Sequence, residues 1–490
     1  MSSATKTRAP DILQSKVKVG LFDRVSGLFE VIGKLPDVMS DEEIAGLMGV
    51  LPDDARGSLT AMLIPRVREG SMAFMKMLSK WLEDAKKAPL EGKKSILVPF
   101  CFPPELLHCF DSSFPITSEV LTTLGVVALE GGGERYYDMA LGLGLPDHVC
   151  SANAVEVGSM LGSDDFQPQA IISAAVGSCD INSKTHELLS NYHGIPLFIL
   201  EKPVDNGEQG RAHYQKNFNR LVGELEEFLD EELTVEKLRC TCEKVNASNE
   251  LMMELWDLHK AVPDPVPNLF SLYTYACRFA MWSTDPAMDC MRTMIEVAKK
   301  RMEEGAFPAD REVARCILTY TSYYFDLAGM FNWMEEQGYT YLGDGLDFLF
   351  PEIIDTTSRE SMLWGLATEA WNMPMTRQVG GHSMSMCWLE DALYAARDLH
   401  ADCAIYSGHH SCKQTWSVAS ILRTELMNRA GVPMLALQGD SWLKRTTPIT
   451  VVQQEIDEFI KNVVLPKRTG KRKVRRRAPG SASASETAST

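Results

Sequence analysis

Apolar residues recur every three or four positions through the first 90 residues, as in LFDRVSGLFEVIGKL and SMAFMKMLSKWLEDAKK. This spacing puts them on one face of a helix and predicts a helical N-terminal region over residues 1–92. From Ser95 the pattern changes to short apolar runs separated by helical stretches: SILVPF, LGVVALE, QAIISAAVG and IPLFIL. Such alternation is typical of βαβ units, so we expect a first α/β lobe over residues 93–212.

Long amphipathic stretches rich in Glu, Lys and Met come next and predict a helical connection over residues 213–308. Alternation resumes in VARCILTY, YTYLGD, DCAIYSG and VPMLALQ, which predicts a second α/β lobe over residues 309–465. The expected fold class is α/β, with two Rossmann-like (flavodoxin-like) parallel-sheet lobes, an added helical N-terminal region and connecting helices. Residues 466–490 join a basic run to a tail of small residues, so we expect this segment to be disordered.

The two predicted lobes contain an internal repeat. AIISAAVGSCD in the first lobe and CAIYSGHHSCK in the second each read as a strand, then Ser-Cys, then a helix. Gly-Ile-Pro or Gly-Val-Pro then opens the next strand. The repeat places Cys179 and Cys412 at the carboxyl ends of parallel strands, where open α/β sheets bind ligands. The helix start that follows would stabilise a thiolate there, and two lobes facing each other across these ends would bring both cysteines together.

The chain has twelve cysteines but no CxxC pair, so a metal site would have to combine cysteines far apart in sequence. Cys150 is a third candidate because Pro146 and Asp147 indicate a helix start beside it. Three thiolates in one cleft suit an iron–sulfur cluster with one iron free of protein sulfur. Cys101 and Cys109 stay ambiguous. Inert packing is the alternative for any cysteine, and we expect it for Cys240, Cys242, Cys277, Cys290, Cys316, Cys387 and Cys403.

Charge and hydropathy exclude some classes of protein. The net charge is -17, although Lys467 to Arg477 carries eight basic residues, so the rest of the chain is still more acidic. An acidic body argues against a nucleic-acid enzyme. No apolar run reaches the roughly 18–20 residues of a membrane span, and the N-terminus does not read as a secretion signal. We therefore expect a cytoplasmic protein without a membrane span.

Several motifs together resemble the subunits of 2-hydroxyacyl-CoA dehydratases and benzoyl-CoA reductases. They are PPELLHC (103–109), HVCSANAVEVGSMLG (148–162), GSCDINSKTHELL (177–189) and SGHHSCKQTW (407–416), with GVPMLALQGD and QQEIDEFIKNV closer to the C-terminus. The resemblance spans Ser95 to Val464, and the Ser-Cys-Lys motif is similar to that of the larger subunit. The chain departs from the pattern after Asp440, where the family more often has a second acid and an Arg.

The resemblance implies a [4Fe–4S] cluster held by Cys150, Cys179 and Cys412. It also implies an acyl-CoA substrate, a related second subunit and an ATP-dependent iron–sulfur activator that injects one electron. The implied reaction removes water from an (R)-2-hydroxyacyl-CoA through a ketyl radical and gives an enoyl-CoA. Three alternatives stay open: a benzoyl-CoA reductase subunit, an electron-transfer subunit that holds a cluster without contacting substrate, and an α/β protein whose cysteines only pack.

Four further residues are candidates for catalysis. His409, His410 and Ser411 directly precede Cys412, so they would face the cleft, where a histidine could act as acid or base. The alternative is that they are strand-end polar residues facing water. Glu105 belongs to the PPELLHC motif, and its alternative role is that of a first-turn acid favoured by the helix dipole. GGGERYY is rich in glycine but lacks a nucleotide-binding signature.

Overall fold

The computed structural model describes residues 22–23, 25–30, 40, 43, 46, 53–125, 131–162, 167–174, 180–203, 207–307, 311–348, 351–373 and 384–467. Residues 22–23, 25–30, 43 and 46 are helical, and the described N-terminal region continues with α1 (Asp53–Met62) and α2 (Arg68–Lys87). Helix α2 buries its apolar face, including Phe74, Leu78 and Trp81. These positions match the three- and four-residue spacing in the sequence.

The first lobe is built on a four-stranded parallel sheet with the order β2-β1-β3-β4. Its strands are β1 (Lys94–Val98), β2 (Ser113–Thr117), β3 (Ala170–Ser173) and β4 (Leu197–Ile199). Its described helices are α3 (Glu105–His108), α4 (Ser118–Gly125), α5 (Glu134–Gly142), α6 (Ser151–Gly162) and α7 (Asp180–His193). Strands β1 and β3 are buried almost throughout, as expected for central strands covered by helices.

Four helices connect the lobes: α8 (Glu208–Leu229), α9 (Val235–His259), α10 (Phe270–Ala280) and α11 (Asp285–Glu304). Helix α8 begins at Glu208, so the boundary that the sequence predicts between residues 212 and 213 lies inside a helix. Helix α11 packs against α2, and α10 packs against both α2 and β2. The connection therefore joins the N-terminal region to the first lobe.

The second lobe repeats the topology of the first, with the strand order β6-β5-β7-β8 and parallel pairing throughout. Its strands are β5 (Ala314–Leu318), β6 (Tyr339–Tyr341), β7 (Cys403–Ser407) and β8 (Met434–Leu437). Its described helices are α12 (Leu327–Glu336), α13 (Arg359–Trp371), α14 (Met384–Asp398), α15 (Lys413–Glu425) and α16 (Ile449–Phe459). Each sheet has the 2-1-3-4 order of flavodoxin-like folds, so the predicted fold class is confirmed.

The predicted strand in LGVVALE was wrong for its first two residues, because Leu124 and Gly125 end helix α4. Residues 126–130 lie outside the described residues. Strand β1 pairs with β3 on one side and with SFPIT, which contains Pro115, on the other. Proline is tolerated there because β2 is the edge strand of its sheet.

One continuous apolar core joins the two lobes. It includes Tyr136 and Val155 of the first lobe together with Trp442 and Leu443 of the second. The second lobe also has a smaller core of its own around Trp388 and Leu422. The lobes are therefore packed against each other near residue 442.

None of the helices in the described part of the chain is long and apolar enough to cross a membrane. The predicted tail begins at residue 466, but the helical backbone that starts with α16 continues without a break to Lys467 and so includes Pro466. Lys467 Nζ donates a hydrogen bond to the carbonyl of Gly431. The rest of the basic run and the small-residue tail, 468–490, lie outside the described residues.

Candidate functional site

A cavity lies where the carboxyl ends of the two sheets face each other. Phe100 follows β1, and Tyr320 and Thr321 follow β5, so both central strands deliver residues to its lining. The cavity has a volume of about 80 Å³, several times the roughly 10–15 Å³ that one water requires. This edge of a parallel sheet is where ligands bind in open α/β folds.

The first turns of three helices also line the cavity. Asn153 comes from α6, Asn182 from α7 and Thr415 from α15. Helix starts present unpaired N–H groups and positive dipole charge, which stabilise anions. Three such starts at one cavity favour an anionic ligand set.

Cys150 and Cys412 both line this cavity. Cys150 directly precedes the first residue of α6, and Cys412 is the N-cap of α15 with extended backbone, φ −82° and ψ 94°. Both are partly exposed, unlike the packing cysteines Cys316 and Cys403, which are buried in β5 and β7. The structure thus brings two of the three predicted ligands together.

Cys179 lies outside the described residues. Helix α7 begins at the next residue, Asp180, and Asn182 in its first turn lines the cavity beside Cys150 and Cys412. In the described part of the chain, no three His, Cys, Asp or Glu side chains are arranged to hold a metal ion. The residues present fit an iron–sulfur cluster by the chemistry of their donor atoms. Two thiols lie at helix starts, and a third, that of Cys179, is expected at the start of α7, whose first turn lines the same cavity.

The Tyr320 phenol lies close to both sulfurs. Burial raises its pKa well above the ordinary value, and both Cys412 and Cys150 raise it further, Cys412 also through a hydrogen bond. Tyr320 therefore keeps its proton at neutral pH. Its O–H is a hydrogen-bond donor inside the cavity.

His409 lies directly behind Cys150. Its ring is fully buried, with Nε2 3.2 Å from the Cys150 sulfur and Nδ1 3.2 Å from Asp440 Oδ2. Burial alone would raise the pKa of Asp440, but the His409 charge and hydrogen bonds from His409, Ser151 and the Trp442 N–H lower it. Asp440 is therefore ionised, and it orients the imidazole by accepting the Nδ1 proton.

Ser151 ties the two lobes together at this point. Its hydroxyl donates to Asp440, with Oγ 2.8 and 2.9 Å from the two carboxylate oxygens. Its backbone N–H donates to the Ser411 hydroxyl at 3.0 Å. Ser411 thus fixes the start of helix α6 rather than lining the cavity. His410 is exposed and is not among the residues that line it.

Glu119, which the sequence analysis missed, is a buried carboxyl group in the cavity wall. Its Oε2 accepts hydrogen bonds from the Phe100 N–H at 2.8 Å and the Ser118 hydroxyl at 2.9 Å. Burial raises its pKa to about 7; the nearby Glu156 raises it further, and His186 opposes this. Glu119 can therefore take up or release a proton near neutral pH. It is the second residue of α4, directly after the unrecognised strand β2.

Glu156 and His186 form a buried pair behind Glu119, with 3.2 Å between Oε1 and Nε2. The pKa of Glu156 is lowered: burial opposes this, but the charge and hydrogen bond of His186 outweigh it. The pKa of His186 is raised because the charge and hydrogen bond of Glu156 outweigh its desolvation. The negative charge of this group therefore stays on Glu156, while Glu119 holds the exchangeable proton.

Glu105 does not reach the cavity lining. It is fully buried and pairs with Arg278 Nη1 at 3.1 Å, while Nη2 of the same guanidinium lies 3.4 Å from Glu369. The ion pair joins the PPELLHC motif to helix α10. This position gives Glu105 a structural contact, and nothing in the geometry brings it to the two cysteines.

A family model described as 2-hydroxyglutaryl-CoA dehydratase, D-component, matches residues 99–462, which is roughly three quarters of the chain. The matched range contains every described strand except β1, the helices between the two sheets and every residue that lines the cavity. None of the curated proteins matches the chain.

Proposed function

We propose a function from one premise, that the chain belongs to the family of 2-hydroxyglutaryl-CoA dehydratase D-components. The proposed function is that of the iron–sulfur subunit in a radical 2-hydroxyacyl-CoA dehydratase. The observation that carries it is the shared cavity of Cys150 and Cys412, at the strand ends of two lobes with the same topology. The D-component description also implies a partner subunit, and we propose an ATP-dependent activator as the electron source.

Cys150, Cys179 and Cys412 would hold the [4Fe–4S] cluster. When bound, such a cluster supplies one electron at a time and an iron that can accept an oxygen ligand. The helix starts beside Cys150 and Cys412 support this assignment because they stabilise thiolates. His409 supports it as well, since its ring is held by Asp440 against the Cys150 sulfur.

The proposed reaction breaks the C2–OH bond and one C3–H bond of an (R)-2-hydroxyacyl-CoA and forms a C2=C3 double bond and water. One electron added to the thioester carbonyl gives a ketyl radical anion that expels the hydroxyl group. The loss of this group makes the C3 proton more acidic. The electron is returned after the proton leaves, so the reaction has no net oxidation or reduction.

Glu119 is the group that we propose to accept the C3 proton. A base works best when its pKa lies near the working pH, and burial brings the pKa of Glu119 to about 7. Hydrogen bonds from the Phe100 N–H and the Ser118 hydroxyl fix one carboxylate oxygen and orient the other. The Tyr320 hydroxyl, which lines the same cavity, would donate a hydrogen bond to a substrate oxygen or to the Cys412 sulfur.

The cavity favours a subunit that contacts substrate over one that only passes electrons. An electron carrier needs a cluster site but no proton-accepting group beside it. Here Glu119 shares the cavity with Cys150 and Cys412. A buried acid with a pKa near 7 at such a place is typical of a catalytic site.

Anaerobic purification followed by iron and sulfide analysis tests the cluster. We expect about four irons per chain, as in a [4Fe–4S] centre, and a large loss of iron in Cys150→Ala, Cys179→Ala and Cys412→Ala. Cys240→Ala is the matched control, because Cys240 is exposed on helix α9 away from the cavity. A stable wild-type chain that binds no iron would overturn the proposal.

Turnover assays with the partner subunit and the activator test the reaction. We expect formation of enoyl-CoA from 2-hydroxyacyl-CoA and a change in the EPR signal of the cluster when substrate is added. Reduction of benzoyl-CoA instead would assign the chain to the ring-reducing enzymes. An EPR signal that no acyl-CoA changes would leave it as an electron carrier.

A further inference from the structure

The walls of the cavity are largely aromatic. Five bulky side chains are buried around it, and a sixth is partly buried: Tyr275, Tyr320, Tyr324, Leu346, Trp442 and Phe100. Burial raises the pKa of Tyr275 well above its ordinary value, and the same holds for Tyr324. These phenols therefore stay neutral, and most of the wall is an uncharged surface suited to an apolar group.

Every ionisable group in the described lining, apart from these phenols, is an acid: Glu119, Cys150 and Cys412. The lining within the described residues includes no Lys, Arg or His. Two histidines lie behind it, but His409 is paired with Asp440 and His186 with Glu156. Both histidines therefore already have a buried carboxylate as partner, and each of the three helix starts directly follows a proposed cluster ligand, whose thiolate it would stabilise.

The remaining lining groups are neutral and polar, and they include Asn153, Asn182, Thr321, Gln414 and Thr415. Amides and hydroxyls of this kind can bind the thioester oxygen and the 2-hydroxyl group. A carboxylate at the far end of the acyl chain would lose its water among aromatic rings and acids without gaining a cation. Desolvation without such a partner is costly.

We infer that the acyl group taken by this chain is uncharged and apolar, aliphatic or aromatic, and not a dicarboxylic acyl group such as the glutaryl group in the family description. The inference rests on the proposed function, because it assigns the acyl group to this cavity. The aromatic wall supplies the attraction, and the described lining has no cation that could replace the water lost by a second carboxylate.

A pair of non-reacting thioesters of matched shape tests the inference. Glutaryl-CoA ends in a carboxylate, and 5-methylhexanoyl-CoA replaces that carboxylate with an isopropyl group of similar shape. Isothermal titration calorimetry on the full chain, purified anaerobically, gives both dissociation constants. We expect 5-methylhexanoyl-CoA to bind at least about tenfold more tightly than glutaryl-CoA.

A variant places a cation at the cavity. Gln414 lies in the first turn of helix α15 and is partly exposed, so a longer side chain can be accommodated there. We expect Gln414→Lys to reduce the preference for 5-methylhexanoyl-CoA by about tenfold. Gln414→Met is the matched control, since it has a similar length but no charge, and it should keep the wild-type preference.

Three results would count against the inference. If glutaryl-CoA binds as tightly as 5-methylhexanoyl-CoA, the inference is wrong, while iron analysis and the EPR response still decide the proposed function. If Gln414→Lys leaves the preference unchanged, the preference arises away from this cavity and the inference is also wrong. If neither thioester binds more tightly than free CoA, the cavity takes no acyl group and the proposed substrate-binding function fails with it.

Discussion

Replacing Glu119 with glutamine removes the titrating proton of this residue and leaves the size of its side chain almost unchanged. The Gln side chain keeps an oxygen that can accept hydrogen bonds from the Phe100 N–H and the Ser118 hydroxyl. We therefore expect Glu119→Gln to lose dehydratase activity while the fold is retained, and to change how stability depends on pH.

The size of the pH effect follows from the raised pKa. Glu119 has a pKa of about 7 in the folded chain and an ordinary value of 4.5 when unfolded. The folded chain therefore holds a proton that the unfolded chain has released, so the free energy of unfolding falls as pH rises from about 4.5 to about 7. The full difference corresponds to roughly 3 kcal/mol.

Urea unfolding followed by tryptophan fluorescence measures this difference at pH 5 and pH 8. We take the free energy of unfolding of Glu119→Gln minus that of the wild type. This difference should be larger at pH 8 than at pH 5 by roughly 2 to 3 kcal/mol. The control is Glu455→Gln, which makes the same chemical change on the exposed face of helix α16. It should show no comparable pH dependence.

A pH-independent difference between Glu119→Gln and the wild type would refute this reasoning. It would mean that Glu119 ionises like an exposed glutamate. The assignment of Glu119 as the proton acceptor would then lose its physical basis, even if the variant were inactive.

Two further predictions concern the contacts that hold the site. Asp440→Asn removes the charged acceptor of His409 and should lower the free energy of unfolding at pH 7 by about 3 kcal/mol in urea titrations. Because the pKa of Asp440 is lowered, its contribution is lost as pH falls below the ordinary value of 3.8. The unfolding free energies of the wild type and the variant should therefore become equal in acid. A difference that stays constant with pH would contradict this. Gly158→Ala places a methyl group 1.9 Å from the Tyr136 carbonyl oxygen, so thermal unfolding should show a loss of more than about 3 kcal/mol. Gly223→Ala, exposed on helix α8 with open space around it, should instead gain about 0.5–1 kcal/mol, and equal effects at both glycines would show that crowding is not the cause.

The fold was predictable where apolar runs are bounded by clear turn residues. Strands β1, β3, β7 and β8 stand in such runs, and the repeated Ser-Cys and Gly-x-Pro signals mark the same unit in both lobes. The edge strand β2 was missed because it is short and contains Pro115. The run that includes Leu124 looks like a strand, but a short apolar run alone does not distinguish a strand from the end of a buried helix.

The position of Cys412 at the cavity was predictable from topology, because the carboxyl ends of parallel strands converge on one edge of each sheet. Cys150 follows a helix rather than a strand, and only the helix-start signal of Pro146 and Asp147 pointed to it. Glu119 could not be found in this way, because its role depends on burial and on a strand that the pattern hides. The raised pKa is a property of its surroundings and not of its sequence neighbours.

The side chains around the cysteines were less predictable. His409 and His410 are adjacent in sequence, yet one is fully buried and the other exposed. The difference arises because Asp440, 31 positions further along the chain, accepts a hydrogen bond from one of the two rings. Glu105 is drawn away from the cavity by Arg278, which comes from a helix in the connecting region.

The hydrogen bond from the Gly133 N–H to the Trp442 carbonyl, 2.7 Å long, joins parts of the chain that a ribosome makes at very different times. Helix α6 emerges early, but Ser151 gains its partner Asp440 only when synthesis is nearly complete. Until the second lobe has been synthesised, only the part of the cavity lining that comes from the first lobe and the connecting helices is present. The lobes can therefore form this cavity only after translation has passed Trp442, and a chain truncated before that point would lack part of the cavity lining.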